Sequence, residues 1–551
     1  MKISRLTLLA SALLPLAAMG QSAVDGLQMN RNDLRGTARF MSMGGAFTAL
    51  GGDLSTLTQN PGGIGIYRSN EIGVTMDIDI MSSKSETQGH TMTTDMTKVY
   101  CPNFGYIGTW RTGNEIMPFF NWGVSYGRAR SLDRRYQGYV DQLSGSLTNH
   151  MATYLTGQGF TSDQLSSGSS TYNPYDYDYS SWLGVLLFNG GEINPISNSP
   201  TNNIYQGLYT PGSSSANASY FVEEKGYIDE YSINFGGNFI NQIYWGLGIG
   251  ITDIDFKQWT TYGEGIDNGM MPYDDGTEMK VARGNGAFAL DSYKHIWGNG
   301  VNVKFGMIFK PINELRIGFA IHTPTWYSLT ETNYGSVDGS FEAQTTGAGG
   351  SVQTHPFKFS TYTNDGYESL VDWEYRTPWK FMVGAAGVIG QKGIISVDYE
   401  YNPYNQMHFQ DTNGRGYGIQ NEDVKNYYQA SNILRLGLEY RVTPSFSLRA
   451  GYSYASSPVK SESEVNALNH SDLCMATGGY YDTNTDASFT LDNDTNYITC
   501  GLGYRYQMFY VDAAYVYRHT SSTYYPWTDS NETSKLTFSD HNIVLSCGLK
   551  F

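Results

Sequence analysis

Three basic residues stand between apolar neighbours, and this placement can create an anion-binding site. Arg316, Arg435 and Arg449 each lie between two apolar residues, which is typical of a strand with one apolar and one polar face. A guanidinium group on the polar face can bind a ligand carboxylate through charge-assisted hydrogen bonds. Asp398 and Glu439 occupy equivalent positions, so ion pairing across a polar interior is the alternative interpretation. For any single residue of this kind, we expect pairing.

Motifs for catalysis or metal binding are incomplete. Gly123–Gly127 matches G-x-S-x-G, but it lies in an alternating segment, whereas a nucleophile elbow requires a strand-to-helix turn. Asp482–Asp486 resembles the start of a calcium-binding loop, yet Ala487 replaces the required glycine and Asn493 the required glutamate. The histidines show no H-E-x-x-H spacing. We therefore expect no catalytic residues, no metal site, no cofactor and no enzymatic activity.

The candidate arginines lie in segments in which apolar and polar residues alternate with a period of two. From Phe120 to Gly127, large apolar residues alternate with small or polar ones. Several segments run for about ten residues, the length of a tilted strand that crosses a bilayer. They lie near 71–80, 102–112, 118–130, 228–240, 243–258, 298–310, 314–329, 373–389, 393–403, 429–443, 446–457, 494–506, 508–519 and 538–551. We predict an all-β fold, an antiparallel transmembrane β-barrel of about 14 strands.

The connections between these segments alternate between short and long. Short turns are predicted at 113–114, 241–242, 311, 391–392, 444 and 507. Short turns on one side and long loops on the other are typical of outer-membrane barrels, whose long loops face outward.

The net charge limits the possible partners, and the N-terminal residues indicate the compartment. The formal charge of -17 disfavours nucleic acid as a partner, because binding it needs clustered Lys and Arg. Lys2 and Arg5 precede a mostly apolar run and a small-x-small site that ends at Gly20, which predicts a secretory signal peptide over residues 1–20. No later apolar run approaches the ~18 residues of a membrane helix. We expect a multi-pass β-barrel in the cell outer membrane.

A glycine-rich stretch, Gly36–Arg68, lies before the first alternating segment. Asp53 is a good candidate for a helix N-cap, and Asn60, Pro61 and Gly62 should end that helix, with Asn60 extended because it precedes proline. The stretch is too short and apolar to fold alone. We predict that it forms part of a hatch inside the barrel.

The motifs in this stretch resemble a known family. Met43–Leu50, then Asp53, then Asn60–Gly62 resemble the hatch of FadL-like outer-membrane proteins, which transport hydrophobic compounds such as long-chain fatty acids. The usual family pattern is M-G-G-A-F-T-A, then D, then N-P-A-G, and this chain departs from it at Gly62. The resemblance implies a hatch over residues 21–70, a barrel over 71–551, and a gate formed by the Asn-Pro-Gly turn.

One long connection contains an apolar run outside any predicted strand. Residues 131–227 are too many for a hairpin loop. They include a run of capture candidates: Trp182, Leu183, Leu186, Leu187 and Phe188. The run forms either an outer surface that captures hydrophobic ligands or a core that holds the loop together. The resemblance favours capture slightly.

The function we expect is passive uptake of hydrophobic small molecules across the outer membrane, gated by the hatch. The alternative is a surface-binding barrel, such as an adhesin or haem receptor, that acts through its long loops. Expected partners are a hydrophobic small-molecule ligand, lipopolysaccharide and the barrel-assembly machinery, which would recognise the last strand ending in Phe551. We expect a monomer.

Overall fold

The computed structural model describes residues 23–31, 33–167, 172–176, 181–274, 276, 278–346, 352–390, 392–460, 483–528 and 530–551. The predicted signal peptide, residues 1–20, and Asp482 of the calcium-like stretch lie outside the described residues.

The described chain consists mainly of strands. They are β1 (Glu71–Thr87), β2 (His90–Arg111), β3 (Phe119–Ser131), β4 (Arg134–Val140), β5 (Ile193–Pro195), β6 (Tyr205–Gly207), β7 (Ser215–Phe239), β8 (Ile243–Asp274), β9 (Met279–Ile312), β10 (Leu315–His322), β11 (Trp326–Thr346), β12 (Val352–Tyr362), β13 (Val371–Arg376), β14 (Lys380–Ile389), β15 (Gly393–Pro403), β16 (His408–Asp411), β17 (Ala430–Thr443), β18 (Phe446–Ala455), β19 (Phe489–Tyr506), β20 (Phe509–Tyr525) and β21 (Ser534–Lys550).

The helices are short and belong to the N-terminal segment and the loops. They are α1 (Ala23–Asn30), α2 (Ala38–Ser42), α3 (Thr56–Gln59), α4 (Leu147–Gln158), α5 (Ser162–Leu165), α6 (Trp182–Asn189) and α7 (Gly418–Tyr427), with 3-10 turns at Pro61–Ile66, Pro174–Asp176, Thr363–Gly366 and Tyr404–Gln406.

The strands form one closed antiparallel barrel with 14 wall positions. The barrel closes because β1 pairs with β2 on one side and with β21 on the other. Four wall positions consist of more than one strand in succession: β3 with β4, β10 with β11, β12 with β13 and β14, and β15 with β16. The predicted fold is therefore confirmed.

The turns at one end of the barrel are short, as predicted. For example, β7 and β8 are joined through Ile240, Asn241 and Gln242, and β17 and β18 through Pro444 and Ser445. At the other end of the barrel, some strands extend farther than predicted. For example, β8 and β9 have 32 and 34 residues. Polar residues replace apolar ones on their outer face there, so the apolar alternation used for the prediction stops before the strand does.

A belt of exposed apolar side chains surrounds the wall. On β9 these are Phe305, Met307 and Phe309, and on β17 they are Leu434 and Leu436. Water disfavours such a continuous apolar surface, whereas a bilayer requires it. The chain is an outer-membrane β-barrel. None of the helices in the described ranges has the length and apolar character needed to cross a bilayer.

Two groups of buried side chains fill the barrel beyond the belt. We call the first the outer cluster: Leu155 of α4, Trp182 and Leu186 of α6, and Tyr220, Tyr262 and Tyr524 from the wall are among its members. The second is the aromatic cluster: Leu27 of α1, Val424 of α7, and Tyr327, Trp373, Tyr375 and Phe409 are among its members. The outer end of the barrel therefore has its own apolar core.

Candidate functional site

The segment before β1 lies inside the ring of strands. Its backbone amides at Ala38 and Thr48 donate to Ser546 Oγ on β21 at 2.7 Å and to Asp398 Oδ2 on β15 at 2.6 Å. From another side, Asn121 Nδ2 on β3 donates to the Ile64 carbonyl at 2.6 Å. Because these strands surround the lumen, the segment occupies its interior as a hatch.

Asp53 holds two parts of the hatch together. Its Oδ1 accepts hydrogen bonds from Thr37 Oγ1 at 2.7 Å and from the Ser55 amide at 3.0 Å. The helix that follows begins at Thr56, with Ser55 at the N-cap position. The prediction that Asp53 is the N-cap is therefore wrong, because its carboxylate connects the start of α2 to the turn ahead of α3.

The Asn60 turn is fixed by both atoms of its side-chain amide. Oδ1 accepts from the Gly62 amide at 2.9 Å, and Nδ2 donates to the Thr48 carbonyl at 2.5 Å. The backbone of Asn60 is extended, as its position before Pro61 predicts. Asn60 is fully buried, so this turn is an internal element of the hatch.

Three glycines of the wall form a seat for this turn. A Cβ built on Gly306 would lie 1.8 Å from Asn60 Oδ1, and one on Gly246 would lie 2.0 Å from the Pro61 carbonyl oxygen. One on Gly318 would lie 2.0 Å from the Thr48 carbonyl oxygen. Any larger residue at these positions would displace the hatch. We call Gly246, Gly306 and Gly318 the glycine seat.

Three arginines spaced four residues apart connect the hatch to the wall, and none of them was among the predicted site residues. The pairs are Arg31 with Asp492 at 2.7 Å, Arg35 with Asp77 at 2.7 Å and Asp79 at 2.6 Å, and Arg39 with Glu439 at 3.0 Å. Their partners lie on β19, β1 and β17, so the hatch is attached to separate parts of the wall. Two sequence features could have indicated these ion pairs. They are the four-residue spacing of the arginines and the acidic residues at polar strand positions.

The predicted lumen arginines are already engaged. Arg435 pairs with Glu400 at 2.6 Å, and Arg449 pairs with Glu439 and Asp512 at 2.8 and 2.6 Å. Arg435 and Arg449 therefore form ion pairs with wall carboxylates, as the alternative interpretation states. Arg316 instead donates to the Leu50 carbonyl of the hatch at 2.7 Å. A role for any of the three in holding a ligand stays a prediction.

A cavity of about 150 Å³ lies between the hatch and the wall. Its lining includes Met29 and Leu34 from the hatch and Met382 from the wall, together with Lys304 and Lys380. Lys304 donates to the Thr58 carbonyl and pairs with Glu230. Lys380 forms no ion pair with any residue that the structure describes. The cavity thus combines apolar side chains with Lys380, a cation that has no ion-pair partner in the described chain.

The main-chain hydrogen bonding of the wall has a gap next to this cavity. The β2–β3 ladder runs from Arg111, paired with Phe119, to Asn103, paired with Gly127, and stops there. Farther out, β2 pairs with β1, whereas β3 and β4 pair with β7. Asn103 and Gly127 also line the cavity, so the cavity reaches the wall where the ladder ends.

The apolar run Trp182–Phe188 is a helix at the centre of the outer cluster. Trp182, Leu183, Leu186 and Leu187 are buried, and Phe188 is half-buried. In this structure the run forms a core that holds the loops together, which is the second of the two roles considered for it. Capture of ligand by this run stays a prediction, and it requires the outer cluster to open.

Neither of the incomplete motifs forms a site in the described chain. Ser125 lies within β3, where its Oγ is 2.7 Å from Ser232 Oγ. Asp486 accepts hydrogen bonds from Gln258 and Thr260. No group of three or more potential ligand side chains in the described ranges is arranged to hold a metal ion.

The chain is similar to several solved structures. A FadL homologue of Pseudomonas aeruginosa has 13% identity and a TM-score of 0.47, with 97% of this chain and 100% of that chain covered. The toluene transporter TodX of Pseudomonas putida has 12% identity and a TM-score of 0.43, with 95% and 100% covered. The toluene transporter TbuX of Ralstonia pickettii has 13% identity and a TM-score of 0.38, with 94% and 99% covered.

No protein-family model matches the chain, and no curated protein matches it. The solved structures include a homologue of FadL, which gives its name to the family that the hatch motif resembles.

Proposed function

We propose that the protein is a passive outer-membrane channel for hydrophobic small molecules, gated by the hatch. The observation that carries this proposal is the cavity between hatch and wall next to the end of the β2–β3 ladder. A molecule held there has a short path sideways at Asn103 and Gly127. The outer and aromatic clusters fill the axial path, so entry from outside requires the outer end to loosen.

The hatch is attached to the wall by non-covalent contacts. Ion pairs and hydrogen bonds connect it to several strands, so the hatch moves only when contacts with water or ligand replace them, and this does not require the wall to break. The Asn60 turn and its glycine seat fit closely, so a small displacement there would open the space beside β8, β9 and β10. Gating at Asn60, Pro61 and Gly62 is the finer part of the proposal.

The ligand we favour is an amphiphile with a carboxylate, such as a long-chain fatty acid. Its chain would contact Met29, Leu34 and Met382, and its carboxylate would reach Lys380 through a charge-assisted hydrogen bond. A neutral hydrocarbon would use the apolar lining but gain nothing from the cation.

Uptake by cells tests this function and separates it from a loop-driven receptor. Cells that lack their own channel receive the protein or an empty vector and are given a radiolabelled long-chain fatty acid or radiolabelled toluene. We expect faster fatty-acid uptake with the protein, and a selective loss of that gain in Lys380→Gln. Equal uptake with and without the protein, at matched surface amounts, would contradict the channel function. Surface binding without uptake would support the receptor alternative.

A further inference from the structure

Two neighbouring wall strands are interrupted at the same height. One interruption lies at Thr323, Pro324 and Thr325, between β10 and β11, and the other at Thr377, Pro378 and Trp379, between β13 and β14. The ladder is regular on both sides of them, from His322 paired with Lys380 inward and from Trp326 paired with Arg376 outward. The two breaks therefore face each other across one interstrand space.

Proline is the residue that explains why the ladder stops. It has no amide hydrogen, so it is excluded from central strands except at irregular positions, and here one proline stands in each neighbouring strand. The connection across the break is partly made by side chains. The Thr325 amide donates to Thr377 Oγ1 at 2.8 Å, and the Thr377 amide donates to the Thr325 carbonyl at 3.1 Å.

The breaks lie between the bilayer side of the wall and the cavity. Outside, Trp326 and Trp379 are 51% and 41% exposed, and tryptophan at the end of an apolar belt is typical of the membrane interface. Inside, Thr325 and Thr377 line the cavity. The breaks follow the eight residues of β10, which corresponds to roughly 20 Å of wall for a strand tilted about 40°. They therefore lie near the outer interface.

We propose that the paired Thr-Pro breaks form a second lateral opening, through which the chain of an amphiphile passes between the outer interface and the cavity. This inference rests on the proposed uptake function. Five wall strands, from β3 to β10, separate it from the gap beside β2, so the two openings face different parts of the membrane. Opening requires loss of two hydrogen bonds around Thr325 and Thr377, whereas a regular ladder would lose many more. The interface tryptophans would contact the chain, and Lys380, which follows the break directly, would contact an anionic headgroup.

Restoring the ladder tests the opening. The variant Pro324→Val/Pro378→Val gives both strands an amide donor and a good strand former. Pro356→Val is the matched control, because Pro356 is an exposed proline of the β11–β12 hairpin, away from the cavity. Uptake of a radiolabelled long-chain fatty acid is measured in cells, normalised to heat-resistant barrel at the surface. We expect uptake to fall severalfold in the double variant and to stay unchanged in the control.

A second variant tests the opening even if the double variant does not fold. Thr325→Cys, in a background without the native cysteines, is labelled in cells with a maleimide that carries a long alkyl chain. We expect labelling to lower the uptake of Thr325→Cys severalfold relative to the same variant before labelling. Normal uptake by the folded double variant, or uptake by Thr325→Cys that full labelling leaves unchanged, would overturn the second opening while leaving the channel function intact. If the unmodified protein gives no uptake at all, the channel function fails and the opening fails with it.

Discussion

Arg35 of the hatch donates to Asp79 of β1 at 2.6 Å, and the two side chains are 6% and 1% exposed. The same guanidinium group also donates to Asp77, so one hatch residue bridges two buried wall carboxylates. Removing one partner of such a buried pair costs about 3–5 kcal/mol, because the remaining charge is left uncompensated.

We therefore expect Arg35→Ala to loosen the hatch while the barrel stays folded. In planar bilayers the variant should show larger and more frequent current steps than the unmodified protein. Arg283→Ala, at an exposed position of β9, is the control and should leave the currents unchanged. Currents in Arg35→Ala that match those of the control would show that this pair does not hold the hatch.

The glycine seat predicts a steric way to move the hatch. Gly306→Ala would place a methyl group 1.8 Å from Asn60 Oδ1, so the turn must shift. Gly387→Ala is the matched control, because a Cβ there meets nothing within 4 Å. We expect altered uptake and faster hydrogen exchange in the hatch for Gly306→Ala, and neither change for Gly387→Ala. Unchanged exchange in both variants would contradict the seat.

The Asn60 turn itself should affect transport more than folding. Asn60→Ala removes the bonds to Gly62 and Thr48, and Pro61→Ala releases the constraint on Asn60. We expect either variant to lower uptake of a labelled fatty acid while expression and heat resistance persist. If the barrel is lost instead, the turn serves folding, and normal uptake in both variants would remove it from the gating mechanism.

The apolar helix α6 should hold the outer cluster together. Trp182→Ala removes a buried aromatic ring, at a cost of about 3–5 kcal/mol, and the half-buried Phe188→Ala should cost less. We expect hydrogen exchange to accelerate in the outer strands and loops but not in the belt, because the belt lies in a separate part of the wall. Removal of the whole run Trp182–Phe188 should weaken ligand capture with the barrel still folded. Unchanged ligand binding in that variant would leave the run with a packing role alone.

The outer cluster should also respond to pH through two buried acids. Burial raises the pKa of Glu264 to about 7, although its carboxylate accepts bonds from Ser146 and Leu147 at the start of α4. Burial also raises the pKa of Glu192 well above its ordinary value, and neither of its oxygens has a hydrogen-bond partner in the described chain.

Because both pKa values are raised in the folded state, the protonated acids favour the packed cluster. The stability that Glu264 contributes is complete below its ordinary pKa of 4.5 and is lost as the pH rises through about 7. Limited proteolysis should therefore cut the outer loops faster at high pH than at low pH. Glu264→Gln should reduce this difference, and an unchanged pH profile in that variant would exclude Glu264 as its source.

The fold could be predicted because the bilayer imposes a simple pattern on the wall. Phe305, Met307 and Phe309 must face lipid, so alternation is visible in the sequence. The outer parts of β8 and β9 face water, where no such constraint applies, and their extent was underestimated. The hatch was recognised from its motif.

The contacts that attach the hatch could not be predicted. Arg35 and Asp79 meet only because the closed barrel brings β1 beside the hatch. The availability of Lys380 also depends on which acids the neighbouring cations occupy, and this is a property of the folded lumen. Likewise, Trp182 is buried because distant strands close around α6.

The central claim, transport past a movable hatch, is tested most directly by a reversible lock. A Cβ built on Gly437 would lie 3.3 Å from Ala46 Cβ, just under the separation in a disulfide, and 2.7 Å from the Met43 carbonyl oxygen of the hatch. Ala46→Cys/Gly437→Cys should therefore join the hatch to β17 after a small local shift, and the reduced variant is the reference for the effect of that shift. The measurement is uptake of a radiolabelled long-chain fatty acid by cells carrying this variant without the native cysteines, before and after reduction. We predict that the oxidised variant takes up no more than cells without the protein and that reduction restores uptake. Full uptake by a completely oxidised variant would contradict gating by the hatch.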